Sequence, residues 1–328
     1  MKIAVLGAGA WGTAFAVHTA GHAEVSLWTW QAEHAERMRR EASNAQYLPG
    51  IPLGNVRVSA DLIEAAAEAD LWIIATPTAG LRGTLRKLRQ AGLDRPFVWL
   101  CKGFETGSGK LPHQVVEDEW AGNGPHGVVS GPSFALEVAR NLPTAVTLAS
   151  RDADFARRTA QALHNQRLRI YSSTDLIGVE IGGAVKNVLA IAAGISDGFG
   201  FGLNARAALI TRGLAEITRL GLKLGGQMET FMGLSGAGDL ILTCTGDLSR
   251  NRKVGTLLAQ GLTLQDILHE LGHVAEGVST AAEVAALAEK LGIDMPITQA
   301  VQRILVGDLP ARQAVEGLLS REQRAEGI

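Results

Sequence analysis

Residues Lys2 to Gly12 read KIAVLGAGAWG, a short apolar run delivered straight into Gly7-x-Gly9-x-x-Gly12. Glycines at this spacing suit a phosphate. Gly7 permits a tight turn, and Gly9 lets a pyrophosphate approach bare backbone. Gly12 lets the following helix, expected over Thr13 to Ala20, sit close on the strand with its N-terminal amides toward the anion. The implied ligand is a dinucleotide, and a second strand-like run, Glu24 to Trp30, follows one helix length later. That run ends without the Asp or Glu that would bind a free ribose 2′-hydroxyl and repel a 2′-phosphate.

Other segments carry groups for proton transfer and anion binding. In Ile181 to Ala193, IGGAVKNVLAIAA, Lys186 shares a helical face with Gly182, Gly183, Ala190 and Ala193. Small neighbours crowd its ammonium away from water, which eases proton transfer, while Asn187 is placed to orient a substrate oxygen. The alternative is a lysine snorkelling off a helix edge. Lys102 follows the strand-like run ending at Cys101, and Gly131-Pro132-Ser133-Phe134-Ala135 follows another. Both fall where open α/β sheets bind ligands, and Ser133 is expected to cap a helix whose free amides face an anion. Ser235 to Asp239, SGAGD, sets a carboxylate in a glycine-rich turn at a helix start, as ligand group or as helix cap. Ser249-Arg250-Asn251-Arg252 opens a further helix with a serine cap, guanidinium and carboxamide, the parts of a phosphate clamp or of a solvated basic turn.

His269-Glu270-Leu271-Gly272-His273 imitates the HExxH zinc site. A third ligand has no obvious source: position 276 is Glu, and the other histidines lie far upstream, between His18 and His164. We read the segment as metal-free.

The elements that must position these groups change character along the chain. Short buried strands are expected at 71–75, 97–101, 127–130, 145–149 and 168–171, with helices at 60–69, 78–90, 111–120 and 152–165 among them. This is an α/β pattern: an N-terminal Rossmann-like, doubly wound sheet with extra strands, over residues 1–174. An all-α C-terminal domain is expected over 175–328, with helices at 176–195, 205–222, 252–260, 278–291 and 297–306. Two domains suit a chain of 328 residues. The balance of 31 Lys+Arg against 33 Asp+Glu offers no basic surplus for nucleic acid or an anionic membrane, so small molecules are the expected partners. Two cysteines far apart, Cys101 and Cys244, point to a reduced, cytoplasmic setting. No stretch is expected to reach the roughly 18 apolar residues of a membrane span.

Together GAGAWGTA, CKGFE, SGPSFALEVA, the block from Ile181 to Gly221, GAGDLILTCTGDLSRNR and VAEG resemble the NAD(P)-dependent glycerol-3-phosphate dehydrogenases of bacterial type, over almost the whole chain. The resemblance implies an oxidoreductase that interconverts sn-glycerol 3-phosphate and dihydroxyacetone phosphate and supplies glycerophospholipid synthesis; a homodimer is the candidate assembly, which the sequence does not settle. It puts Lys186 at the proton acceptor position. Lys102, Gly131, Ser133, Asp239, Ser249, Arg250 and Asn251 fall on substrate positions, and Gly7, Gly9, Ala10, Trp11, Gly12, Trp30, Lys102, Ala135, Arg250, Val274 and Glu276 on cofactor positions. Ala10 stands where relatives often have Ser or Asn, and Trp30 where many have His or Arg near the adenosine ribose. A two-domain hydroxy-acid dehydrogenase and a non-catalytic NAD(P) sensor are the competing readings.

Because no acid ends the second strand, NADPH should serve at least as well as NADH. A kcat/KM for NADH roughly tenfold or more above that for NADPH, about 1.4 kcal/mol, contradicts this.

Overall fold

The structure is a computed structural model and describes residues 1–120, 124–271 and 275–319. It divides into two compact units, Met1–Lys102 with Leu111–Leu176, and Gly103–Lys110 with Ile177–Ile328. The first is built on β1 (Lys2–Leu6), α1 (Ala10–Thr19), β2 (Glu24–Trp28), α2 (Ala32–Glu41), β3 (Arg57–Ser59), α3 (Leu62–Ala67), β4 (Leu71–Ile74), α4 (Thr78–Gln90), β5 (Phe97–Trp99), α5 (Pro112–Trp120), β6 (His126–Ser130), α6 (Ala135–Ala139), β7 (Thr144–Ala149), α7 (Ala153–Leu163) and β8 (Leu168–Ser173). Its sheet runs β3-β2-β1-β4-β5-β6-β7-β8 and is parallel throughout except where β7 meets β6. The order reverses direction between β1 and β4, the place where a doubly wound sheet opens a crevice for ligand. Ile3 to Leu6 and Leu71 to Ile74 are buried at every position, as strands covered on both faces must be.

Some local expectations need correction. The second strand ends at Trp28, so Trp30 stands beyond it, and the first helix begins at Ala10, inside the glycine triplet rather than after it. Strand β3 and helix α2 were not anticipated. The first is only three residues long, and the second is mostly charged, with only His34, Ala35 and Met38 turned inward.

The second unit holds α8 (Leu176–Gly198), α9 (Gly202–Lys223), α10 (Met228–Met232), a π-helical turn (Leu234–Gly238), α11 (Asp239–Thr245), α12 (Arg250–Ala259), α13 (Leu264–Leu271), α14 (Glu276–Leu291), α15 (Pro296–Leu305) and α16 (Ala311–Leu319). Helix α8 contradicts the expectation about apolar length. It is long and apolar enough to cross a membrane, yet 94% of its most apolar stretch is buried inside the protein. It reads as the core helix of this unit. Residues 103–110 join this unit rather than the sheet, so the boundary is not a single cut after 174. Their bridge between Glu105 and Lys110 presents the Gly107 N–H to Glu283 Oε1 of α14 at 3.0 Å.

Helices α9 and α15 are joined by a buried carboxylate. Glu216 accepts from the N–H groups of Ile297 and Thr298 at 2.6 and 3.1 Å and from the Thr298 hydroxyl at 2.8 Å, and these residues open α15 just after Pro296. A carboxylate at a helix N-terminus satisfies amides that have no helical partner. Burial nevertheless pushes its pKa up to about 6, against the pull of those hydrogen bonds. A folded-state value above the unfolded one gives stability that is complete below about pH 4.5 and is lost as pH rises through about 6. The wild-type advantage in unfolding free energy over Glu216→Gln should therefore shrink by about 2 kcal/mol between about pH 4 and pH 7. A difference that is flat or grows with pH in urea titrations sinks the assignment.

Candidate active site

Each glycine of the triplet meets a different environment. Gly7 has φ +129°, which side chains rarely adopt, and a Cβ there would lie 2.6 Å from the Ala75 carbonyl beyond β4. At Gly12 a Cβ would fall 2.0 Å from the Gly7 carbonyl oxygen, so the helix rests directly on the turn. Gly9 differs: nothing lies within 4 Å of its Cβ position. It is the N-cap of α1, no side chain caps the helix, and the first turn holds no acidic residue. Two glycines thus let the chain approach itself, and the third leaves bare backbone open beside a helix N-terminus, which fits a pyrophosphate. Ala10 and Trp11 begin the helix, half-buried, with the indole edge-on to Phe15 at 5.8 Å. Trp30 is 74% exposed.

Beyond β5 and β6 the sheet brings Lys102, Gly131 and Ser133 together. The Gly131 carbonyl accepts from Ser133 Oγ at 2.9 Å and from Lys102 Nζ at 3.3 Å. Gly131 itself has φ +142°. The expectation for Ser133 as a helix cap fails, because its hydroxyl turns back to Gly131 and the N-cap of the five-residue α6 is Phe134. Ala135 is the first residue of that helix, half-buried.

In the second unit Lys186 does not snorkel. It is 7% exposed, in the middle of α8, and its Nζ forms an ion pair with Asp239, which is 1% exposed, and donates to Thr243 Oγ1 at 2.9 Å. The Thr243 hydroxyl in turn donates to the Asp239 carbonyl at 2.6 Å, leaving its lone pairs for the lysine. Asp239 is therefore no cap. The residues before it form a π-helical turn, and Gly182 allows that turn to press on α8: a Cβ there would meet the Ser235 carbonyl oxygen at 2.3 Å. Cys244 lies alongside, and burial pushes its thiol up to about 12, so it is no nucleophile at neutral pH.

The SRNR segment is resolved into separate jobs. Ser249 caps α12, accepting from Arg252 N at 3.2 Å. Asn251 Nδ2 donates to Asn187 Oδ1 at 3.0 Å, and Asn251 Oδ1 receives the Gly277 N–H at 3.0 Å, linking α8, α12 and the start of α14. Arg252 pairs with Asp197 at 2.7 Å and Asp247 at 2.9 Å. Arg250, the first residue of α12, is exposed and has no ion-pair partner among the described residues. Glu276 opens α14, half-buried, while Val274 lies outside the described residues. Of the HExxH segment, Glu270 pairs with Lys253 at 3.1 Å and His273 is outside the described residues. No cluster of His, Cys, Asp or Glu able to hold a metal occurs among the described residues.

Comparison with known proteins decides the family. Models of the NAD-dependent glycerol-3-phosphate dehydrogenase N-terminus and C-terminus match residues 2–156 and 175–316. A glycerol-3-phosphate dehydrogenase [NAD(P)+] of Nitrosospira multiformis is 60% identical over 99% of both chains. The chain belongs to the NAD-dependent glycerol-3-phosphate dehydrogenase family. The crystal structure of a glycerol-3-phosphate dehydrogenase from Coxiella burnetii superposes with a TM-score of 0.93 at 44% identity, covering 98% of this chain and 99% of that one. One from Saccharomyces cerevisiae gives 0.81 at 29% identity over 96% and 98%.

Within this family member, Thr243 is the group that sequence reasoning missed. Its signal was present: it stands four residues after Asp239, hence on the same helical face. A buried lysine robbed of its carboxylate is left as an uncompensated charge. Asp239→Asn should accordingly lower unfolding free energy by about 3 kcal/mol in urea titration. A loss below about 1 kcal/mol would mean the pair is not buried in solution.

Proposed function

We propose that this glycerol-3-phosphate dehydrogenase family member interconverts sn-glycerol 3-phosphate and dihydroxyacetone phosphate, with Lys186 as the proton-transferring group. The observation that carries this is a lysine buried in mid-helix, held at Nζ by Asp239 and Thr243, in a unit that also presents the guanidinium of Arg250, exposed and with no ion-pair partner among the described residues. NAD(P) bound at Gly7, Gly9 and Gly12 supplies or accepts the hydride at substrate C2. Lys186 Nζ–H gives its proton to the C2 oxygen during reduction and takes it back during oxidation. Asp239 and Thr243 fix the direction of that Nζ, and Asn187, locked by Asn251, is positioned to orient substrate oxygens. Arg250 and the Ser249-capped start of α12 hold the phosphate, which orients the substrate through a part that does not react.

The same reading assigns Lys102, Gly131 and Ser133 to substrate as well, and Ala10, Trp11, Trp30, Lys102, Ala135, Arg250, Val274 and Glu276 to the cofactor. Trp30 would stack on the adenosine end without charge to choose between NAD and NADP. Residues 1–174 then serve chiefly the cofactor and 175–328 the chemistry. A cytoplasmic enzyme supplying glycerol 3-phosphate for phospholipids, acting as a homodimer, completes the proposal.

Lys186→Ala should lower kcat for dihydroxyacetone phosphate reduction by about 10² to 10⁴, and Lys186→Arg should not restore it, because a guanidinium keeps its proton. Arg250→Ala should cost about 10² in kcat/KM with the phosphorylated substrate and much less with unphosphorylated dihydroxyacetone. Retention of more than about a tenth of kcat in Lys186→Ala makes the lysine a positioning group. Equal losses on both substrates remove Arg250 from the phosphate.

A further inference from the structure

The open glycine loop is held from behind by a buried polar chain that includes none of the residues assigned above to cofactor or substrate. Thr13, Thr29, His34 and Asn44 are all at most 4% exposed. Asn44 Nδ2 donates to the Ala8 carbonyl at 2.9 Å and to Thr13 Oγ1 at 2.8 Å, while its Oδ1 lies 3.1 Å from His34 Nε2. His34 Nδ1 lies 3.0 Å from Thr29 Oγ1, at the exit of β2. The directions in this chain follow from the first bond. A carbonyl oxygen only accepts, so the Asn44 amide must offer its NH2 to Ala8, and its oxygen must face His34. His34 then donates from Nε2, and in the neutral ring its Nδ1 accepts from the Thr29 hydroxyl.

The Ala8–Gly9 peptide is trans, so its carbonyl and its N–H point opposite ways. Holding the Ala8 oxygen on Asn44 therefore turns the Gly9 N–H away from Asn44, and that N–H has no protein acceptor among the described residues. Thr13, one turn into α1, receives the other Asn44 proton, so one carboxamide fixes both the loop and the helix that follows. Asn44 itself is anchored by its chain. The preceding Ala42 takes φ +48°, Ser43 bridges to Pro52, and Leu48 and Ile51 pack on Ala14 of α1. Only a carboxamide supplies two donors and an acceptor from so short a side chain.

We propose that Asn44, oriented by His34 and Thr29, is a positioning residue for the dinucleotide, setting the Ala8–Gly9 peptide before the pyrophosphate arrives. This rests on the functional reading above. Each lost hydrogen bond to the loop is worth a few-fold in affinity. NADPH binding to the full-length protein, followed by quenching of its tryptophan fluorescence, should weaken about tenfold or more in Asn44→Ala and about threefold in Thr13→Val, a change of nearly equal shape that leaves the core filled. At saturating NADPH, kcat with dihydroxyacetone phosphate should stay within about threefold in both. Asn44→Asp, which keeps the shape and loses the donors, should bind no better than the alanine variant. Wild-type affinity in Asn44→Asp would show a packing role and overturn the proposal, as would unchanged affinity in Thr13→Val should Asn44→Ala fail to fold, or a fall in kcat at saturation as large as the fall in affinity. Wild-type protein that does not bind NADPH at all would strike the functional reading itself, and this proposal with it.

Discussion

A lysine can be buried in the middle of a helix only if other backbone comes close enough to bring it a counter-charge and an acceptor, and the second unit is arranged around that constraint. Helix α8 meets its neighbours at positions where a Cβ would collide with backbone: Gly182 with the Ser235 carbonyl at 2.3 Å, Gly194 with the Arg252 carbonyl at 1.9 Å, and Gly255 of α12 with the Ile191 carbonyl at 2.0 Å. Close contact at Gly182 delivers Asp239 and Thr243 to Lys186. Close contact at Gly194 and Gly255 delivers Asn251 to Asn187. The ion pair adds little net stability, since desolvating two charges offsets most of their attraction. What it fixes is direction, because Asp239 and Thr243 hold the ammonium on two sides.

Glycine does the opposite job in the first unit. There Gly9 is needed for the space it leaves empty, whereas Gly7 and Gly12 are needed for the space they let the chain fill. This explains why a glycine triplet taken alone is ambiguous: turn-making and ligand-making glycines look alike in sequence. What separates them is whether the surrounding chain closes over the position, and that depends on β4, some 60 residues away, through Ala75.

Legibility of the sequence follows the range of the interaction that fixes each feature. The parallel sheet was readable because buried strands are locally apolar, and Lys186 was readable because small residues recur on its own helical face. Ser249 was readable as a cap because capping is a bond between neighbours. Ser133 carried the same signal and misled, since its hydroxyl found the Gly131 carbonyl two residues back. The π-helical turn before Asp239 was not readable; in it Gly236 packs on the Phe231 backbone, where a Cβ would find no room, a contact that a run of glycines does not announce. Helix α8 shows the limit of composition: its apolar length suits a bilayer or a protein core, and only its partners decide.

Arg250 and Arg252 show how chemistry is assigned within one short motif. Two residues apart on α12, they are turned by roughly 200° relative to one another and so cannot serve the same partner. Arg252 faces Asp197, at the C-terminal end of α8, which also accepts from Arg206 of α9 at 3.1 Å; it ties three helices and has no charge left over. Arg250 stands at the helix start with no carboxylate partner among the described residues, next to the cap where the dipole already favours an anion. Arg252 is thus committed to Asp197 and Asp247 within the fold, and of the two arginines Arg250 is the one whose guanidinium no described carboxylate engages. The lysines differ in burial: Lys186 is buried and held at Nζ by Asp239 and Thr243, while Lys102 is half-buried and donates to the Gly131 carbonyl at 3.3 Å. Rigid polar groups suit the reacting atoms, and loosely held ones suit groups that must bind and let go.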